Sequence, residues 1–366
     1  MKKSVILLLG FVIIAVYLVS AGIGNAFSQD ISRDPTEFAP YGEPLGRTSP
    51  KTVNVTLFAH ERTGTIDAGS DEVVGTADDI TYNAMTFGSS SDPETGRIPG
   101  PFIRVLEGDT INVTLNNSLG NETHSIDFHA IKGYKGGMTK LTADAGDTVT
   151  ATFKLLHPGL YVYHCAADGV IANIATHIAN GMWGMILVEP QKGGKYFRGD
   201  VKKADKEFYI MQCEFYLDGD PGLTSTYTPG NYAFDLLGKG LAEHPDYVVF
   251  NGRAGVSRST IASSAPPVSI DVNLGDNVII YFGNMGPSLI SGTHMIGEIW
   301  DREYEEGDVL SPPRNNIETS TVPPASTVIW AFKPLVKESE GGANVLVDHA
   351  IFRVAKGAFG LMHVLP

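Results

Sequence analysis

The chain runs to 366 residues with a formal net charge of −14 and no basic run beyond its first three residues, which argues against a nucleic-acid partner. That length suits two domains of ordinary size, and 43% hydrophobic residues are enough for a packed core in each. The two cysteines, Cys165 and Cys213, permit one disulfide in an oxidising compartment, but Cys165 has a better use, argued below, and Cys213 reads as a small core residue.

From the N-terminus, residues 1–29 read as a signal peptide or an uncut membrane anchor. Lys2 and Lys3 precede a charge-free stretch from Ser4 to Gln29, with small residues after which a cut at Ala21 or Ala26 fits. A bilayer span needs about 20 apolar residues, and the apolar run with its flanks reaches that length. Either way the chain from Asp30 onward is expected outside the cytoplasm: periplasmic, pseudoperiplasmic or at the cell surface, exported or tethered. Residues 30–50, with proline, glycine and charge but no periodicity, read as a linker. The acidic, glycine-bearing segment 67–79 reads either as an oxygen-rich calcium loop or as a solvated hairpin tip.

Beyond the linker the pattern is one of short strands between Gly, Pro, Asn and Asp turns. Examples are Thr52–Ala59, Phe102–Val105, Thr110–Leu115, Thr148–Phe153 and Leu160–His164, with few long amphipathic helical stretches. An all-β chain of two sandwiches is expected, over residues 51–190 and 191–366. An internal repeat supports this. RVLEGDTINVTLNN (104–117) matches DVNLGDNVIIYFGN (271–284), DTVTATFK (147–154) matches STVIWAFK (326–333), and GMWGMILVEP (181–190) matches GAFGLMHVLP (357–366). LYVYHCA (160–166) resembles NVLVDHA (344–350), and reading the shared histidine as equivalent sets His164 against His349 and Cys165 against Ala350. His177 then falls on Arg353 and Met182 on Ala358. The second copy lacks a cysteine, a histidine and a methionine together, as if they served one purpose.

Thiolate, two imidazoles and a weak thioether are the ligand set of a blue-copper centre. Cys165, His177 and Met182 supply three of these, and the second histidine is His124 or His129 in HSIDFHA (124–130). We assign His124, although spacing alone does not separate the two. Met185 is a rival thioether but reads as a core residue. Along a strand, successive side chains point to opposite faces. If Cys165 points into its sandwich, His164 points out, where it could join His129 and His349 in a three-imidazole metal site with an open position.

These motifs resemble the copper-containing, nitric-oxide-forming nitrite reductases. The matching segments are IPGPFIRVLEGD (98–109), HSIDFHA (124–130), YHC (163–165), HIANGM (177–182), THMIG (293–297) and VDHAI (347–351), in family order. The resemblance implies two tandem cupredoxin-like Greek-key domains and two coppers per chain. Type 1 copper would take His124, Cys165, His177 and Met182; type 2 copper would take His129, His164 and His349. It implies Asp127 and His294 as catalytic groups and Ile296 as a wall of the substrate pocket. It also implies nitrite as substrate, a small cupredoxin or c-type cytochrome as electron donor, and a homotrimer in which His349 comes from a neighbouring subunit. The eleven residues between Cys165 and His177 exceed the usual family loop, which bears on type 1 geometry and donor docking.

Three other readings compete. A trinuclear oxidase needs His-x-His pairs, and the chain has none. A cupredoxin-type electron carrier would leave His129, His164, His294 and His349 without a use. A related copper oxidoreductase acting on another small nitrogen compound, such as hydroxylamine, would share the same ligands.

Overall fold

The computed structural model describes residues 31–35, 46–67, 76, 79–167, 169, 171–217, 239–254, 268–336 and 343–366. The expected leader and most of segment 67–79 lie outside the described residues. Within that segment Thr76 donates its N–H to the Asp79 carboxylate at 3.1 Å. Among the described residues no helix is long and apolar enough to cross a membrane.

The first sandwich faces two four-stranded sheets. One contains β1 (Thr52–Asp67), β2 (Ile80–Gly88), β4 (Thr110–Asn116) and β8 (Thr148–Lys154), ordered β2-β1-β4-β8. The other contains β3 (Ile103–Leu106), β6 (Asp127–Phe128), β9 (Gly159–His164) and β10 (Trp183–Glu189), ordered β3-β10-β9-β6. A small ladder of β5 (His124–Ser125) and β7 (Thr142–Ala143) closes one end. Alternation builds the core: Ile111, Val113 and Leu115 of β4 point inward while Thr110, Asn112 and Thr114 face out.

The second sandwich repeats the plan. One sheet holds β11 (Lys206–Phe215), β12 (Tyr247–Phe250), β14 (Val278–Asn284), β16 (Arg302–Tyr304) and β18 (Ser326–Phe332). The other holds β13 (Val268–Asn273), β15 (Ser291–Ile296), β17 (Thr319–Val322), β19 (Asn344–Asp348) and β20 (Phe359–Leu365). Unlike β4, strand β14 is buried at every residue, because a third apolar cluster with side chains from both sandwiches covers its outer face. Arg104 is buried in that contact, paired with Glu189 and Glu207, and Phe102 packs on Tyr209 with ring centroids 3.9 Å apart. Residues 31–35 thread the same region. Ile31 is buried, the Arg33 N–H donates to the Ile98 carbonyl at 2.9 Å, and the Tyr209 N–H donates to the Pro35 carbonyl at 3.0 Å.

Strand register makes the duplication explicit. Ile186 faces Ile103 and Tyr161; Met362 faces Ile270 and Asn344. Asn117 donates to the carbonyls of Glu122 and Ala143 at 2.8 and 3.0 Å, and Asn284 donates to those of Leu289 and Val322 at 2.8 and 2.9 Å. The same register corrects one pairing read from sequence. His164 faces Trp183, whereas Phe359, the counterpart of Trp183, faces Val347. Val347 therefore stands where His164 stands, Asp348 stands where Cys165 stands, and His349 lies beyond the strand. The shared His-Ala letters drew the alignment out of register. In place of Cys165 and His177 the second sandwich holds an ion pair, Asp348 with Arg353, at 2.5 Å.

Among the described residues two short α-helices interrupt the β pattern: α1 (Ile171–Ala179) and α2 (Lys195–Lys203). Helix α1 fills most of the interval between Cys165 and His177 that sequence reading left as loop. Ile174, Ala175, Ile178 and Ala179 recur at the spacing of one helical face. Ile174, Ile178 and Ala179 pack into the cluster between the sandwiches.

Candidate metal centres

Helix α1 ends in a way that delivers two side chains. The Gly181 N–H donates to the Ile178 carbonyl at 3.0 Å and the Met182 N–H to the His177 carbonyl at 3.1 Å, with Gly181 at φ +103°. This is a Schellman motif with glycine in the left-handed position, and it characteristically brings the residue after the glycine against the third-last helical residue. Those residues are Met182 and His177. A Cβ on Gly181 would also lie 2.1 Å from Ile98 Cδ1, so glycine is required twice over.

Cys165 follows the end of β9, its N–H donating to the Met182 carbonyl at 2.9 Å. Its Sγ lies 3.2 Å from His177 Nδ1 and 3.8 Å from His124 Nδ1, and the two Nδ1 atoms are 3.2 Å apart. Ligands bound at about 2.0–2.3 Å around one ion sit about 3–4 Å from each other, so these three atoms fit a single metal. All three residues are buried, and so is Met182, which shares their apolar cluster with Cys165. Met185 belongs instead to the cluster between the sandwiches, its sulfur facing Gly283. The Ser125 and Ala167 N–H groups each donate to Cys165 Sγ at 3.3 Å.

The charges at this cluster are those of a thiolate. Burial pushes the Cys165 thiol up, but His177 and His124 overcome it and hold the thiol well below its usual value. Burial works against a charged His177, yet the Cys165 sulfur raises that imidazole to about 10. His124 is likewise raised against its burial, by Cys165 and by Glu61. A thiolate is the form that binds a soft metal.

Alternation along β9 sends His164 to the other face. His164 Nε2 lies 3.3 Å from His129 Nε2, and the His164 Nδ1–H donates to the Cys165 carbonyl at 2.9 Å. That bond fixes the tautomer and leaves Nε2 free. Asp127 faces His164 across β6 and β9, and its carboxylate joins both histidines within 4.8 Å. His129 is held below the ordinary histidine value by desolvation of its ring and by His164, with Asp127 opposing. The neutral form is the one that ligates metal.

His349 does not join this group within one chain; among the described residues the second cluster is Asp127, His129 and His164. It is exposed, its ring centroid 5.5 Å from that of His294. The His294 Nδ1–H donates to the Glu318 carbonyl at 2.6 Å. Ile296 is half exposed two residues on. By register Asp127 and His294 hold one position in the two sandwiches, since Asp127 faces His164 and His294 faces Val347.

Sequence reading missed three carboxylates. Glu61 accepts a hydrogen bond from His124 Nε2–H at 2.7 Å, Glu122 lies 3.7 Å from His177 Nε2, and Glu318 lies 3.1 Å from His294 Nδ1. None carries a local motif; only Glu122, two residues from His124, could have been suspected.

Comparison with known proteins agrees with this chemistry. A multicopper oxidase family profile matches residues 94–193. The copper-containing nitrite reductase of Neisseria gonorrhoeae is 39% identical over 332 residues, covering 90% of this chain and 73% of that protein. The corresponding Cereibacter sphaeroides protein is 32% identical over 292 residues, covering 79% and 72%. The solved copper nitrite reductase of Nitrosomonas europaea superposes with a TM-score of 0.65 at 30% identity, covering 86% of this chain and 94% of that one.

Proposed function

The chain belongs to the copper-containing nitrite reductases, enzymes that reduce nitrite with copper, and from that membership we propose that it converts nitrite to nitric oxide and water at two distinct copper sites. His124, Cys165, His177 and Met182 would hold type 1 copper; His129 and His164, with His349 of a neighbouring copy, would hold type 2. The observation that carries this reading is the split between adjacent residues, Cys165 serving one cluster and His164 the other.

Copper supplies one-electron redox chemistry at the first site and a Lewis acid for nitrite at the second. The chain supplies the rest. One peptide link joins Cys165 to His164, and the hydrogen bond from His164 Nδ1–H to the Cys165 carbonyl adds a second short connection. Each turnover consumes one electron and two protons. Asp127, beside both second-site histidines, would hold one proton on its carboxylate toward nitrite. His294 would deliver the other from Nε2, because Nδ1–H is committed to Glu318.

His349, Ile351 and Phe352 form an exposed, partly apolar edge, with Phe352 85% exposed. A homotrimer would cover it and bring His349 to a neighbour's His129 and His164. A small cupredoxin or c-type cytochrome would donate electrons near His177, outside the cytoplasm, as the apolar N-terminal segment suggests.

The test is an anaerobic nitrite assay with an artificial donor, run beside copper quantification. Nitric oxide with two coppers per chain is the expected result. One copper per chain and no nitric oxide would leave an electron carrier.

A further inference from the structure

Glu61 has a use that copper ligation alone does not require. Its side chain is 1% exposed, and four donors converge on its two oxygens. His124 Nε2–H donates at 2.7 Å, Asn121 N–H at 3.0 Å, Asn121 Nδ2–H at 2.8 Å and Glu122 N–H at 3.2 Å. Four N–H donors on two oxygens are the surroundings in which a carboxylate acts as an acceptor. It comes from β1, the longest strand, and clamps the turn that leads into His124.

The second sandwich shows which part of this is scaffolding. Phe58 faces Asn116 and Met211 faces Gly283, which are equivalent, so Glu61 and Glu214, three residues further along each strand, are equivalent too. Glu214 is also buried and accepts the Leu289 N–H at 2.7 Å, as Glu61 accepts the Glu122 N–H. The equivalents of His124 and Cys165 there are Ser291 and Asp348, so no imidazole meets Glu214. Clamping the turn is common to both copies. Contact with an imidazole belongs only to the copy with the Cys-His cluster.

We propose that Glu61 is the positioning residue of the first metal site: it fixes the His124 tautomer that offers Nδ1 to the metal, and its buried negative charge lowers the reduction potential of copper held there. This rests on the reading that His124, Cys165 and His177 bind one copper. An imidazole donating Nε2–H to a carboxylate is a stronger ligand through Nδ1, and such outer partners commonly account for 10- to 100-fold in metal affinity. A fixed negative charge in a buried setting favours the more positive, oxidised metal.

The experiment uses the copper-loaded full chain, reading the type 1 midpoint potential, the thiolate charge-transfer band and copper affinity rather than turnover. Glu61→Gln should raise the potential and shift the band. Glu61→Asp, which keeps the charge at shorter reach, should give a smaller rise. Glu61→Ala should weaken copper binding on the order of 10- to 100-fold. Glu214→Gln, with the same clamp and no imidazole, should lower the melting temperature and leave the potential alone. A normal band in the unmutated protein with an unmoved potential in Glu61→Gln overturns the proposal alone, as does a Glu214→Gln shift of equal size. Absence of the band from the unmutated protein overturns the copper-site reading and the proposal with it.

Discussion

At the scale of single residues, Asp127 and His129 separate chemistry from ligation. Asp127→Asn keeps the shape of the side chain but removes the proton, so turnover should fall on the order of 10²–10⁴-fold while both coppers are retained. Steady-state kinetics with copper analysis would decide it, and an unchanged rate would reduce Asp127 to scaffolding. His129→Ala should abolish nitrite reduction and leave the visible band of the thiolate copper intact, whereas His124→Ala should remove the band; the reverse pattern would mean the two histidines exchange roles. The chemistry of these residues is legible in sequence because their types are scarce and specific: one useful cysteine, and histidines set at strand ends. Glu61 and Glu318 were not legible. Their histidine partners lie 63 and 24 residues away in sequence, and carboxylates are too common for spacing to single them out.

Among the elements, helix α1 carries the most information. Gly181→Ala would force an L-residue to φ +103° and into Ile98. The left-handed conformation alone costs about 1–2 kcal/mol, and overpacking adds about 1–3 kcal/mol. We expect a stability loss of that order in denaturant melts, together with an altered visible spectrum, because the same turn bonds the Met182 N–H to the His177 carbonyl. A loss of stability with an unchanged spectrum would show that the turn and the ligand geometry are independent. The helix itself was obscure in sequence for a physical reason. Its nine residues are too short for periodicity to stand out, and the ligand motif around it drew attention to the ends. Strands were easier, since alternation in β4 is complete. Register was harder: the slip that set His164 against His349 is invisible to letters and obvious to hydrogen bonding.

For the whole molecule, the proposed assembly makes a prediction that no single chain can imitate. His129→Ala and His349→Ala should each be inactive when expressed separately. Co-expressed, they should regain part of the activity, because a chain lacking His349 can offer intact His129 and His164 to a neighbour that still has His349. Assay of the mixed oligomers checks this, and failure to regain activity would place all three histidines within one chain. Two sandwiches were legible from the repeat, because turn residues and alternation survive duplication. Their tight apposition was not, since burial of β14 on both faces arises only when the copies meet.

Residues 31–35 carry a last consequence. This short strap is stitched to Ile98 in one half and to Tyr209 and Asn251 in the other, with Ile31 sealed from water. If the N-terminal segment is cut after Ala21 or Ala26, as its sequence suggests, the strap is spared, whereas losing residues 31–35 would remove these bonds between the halves.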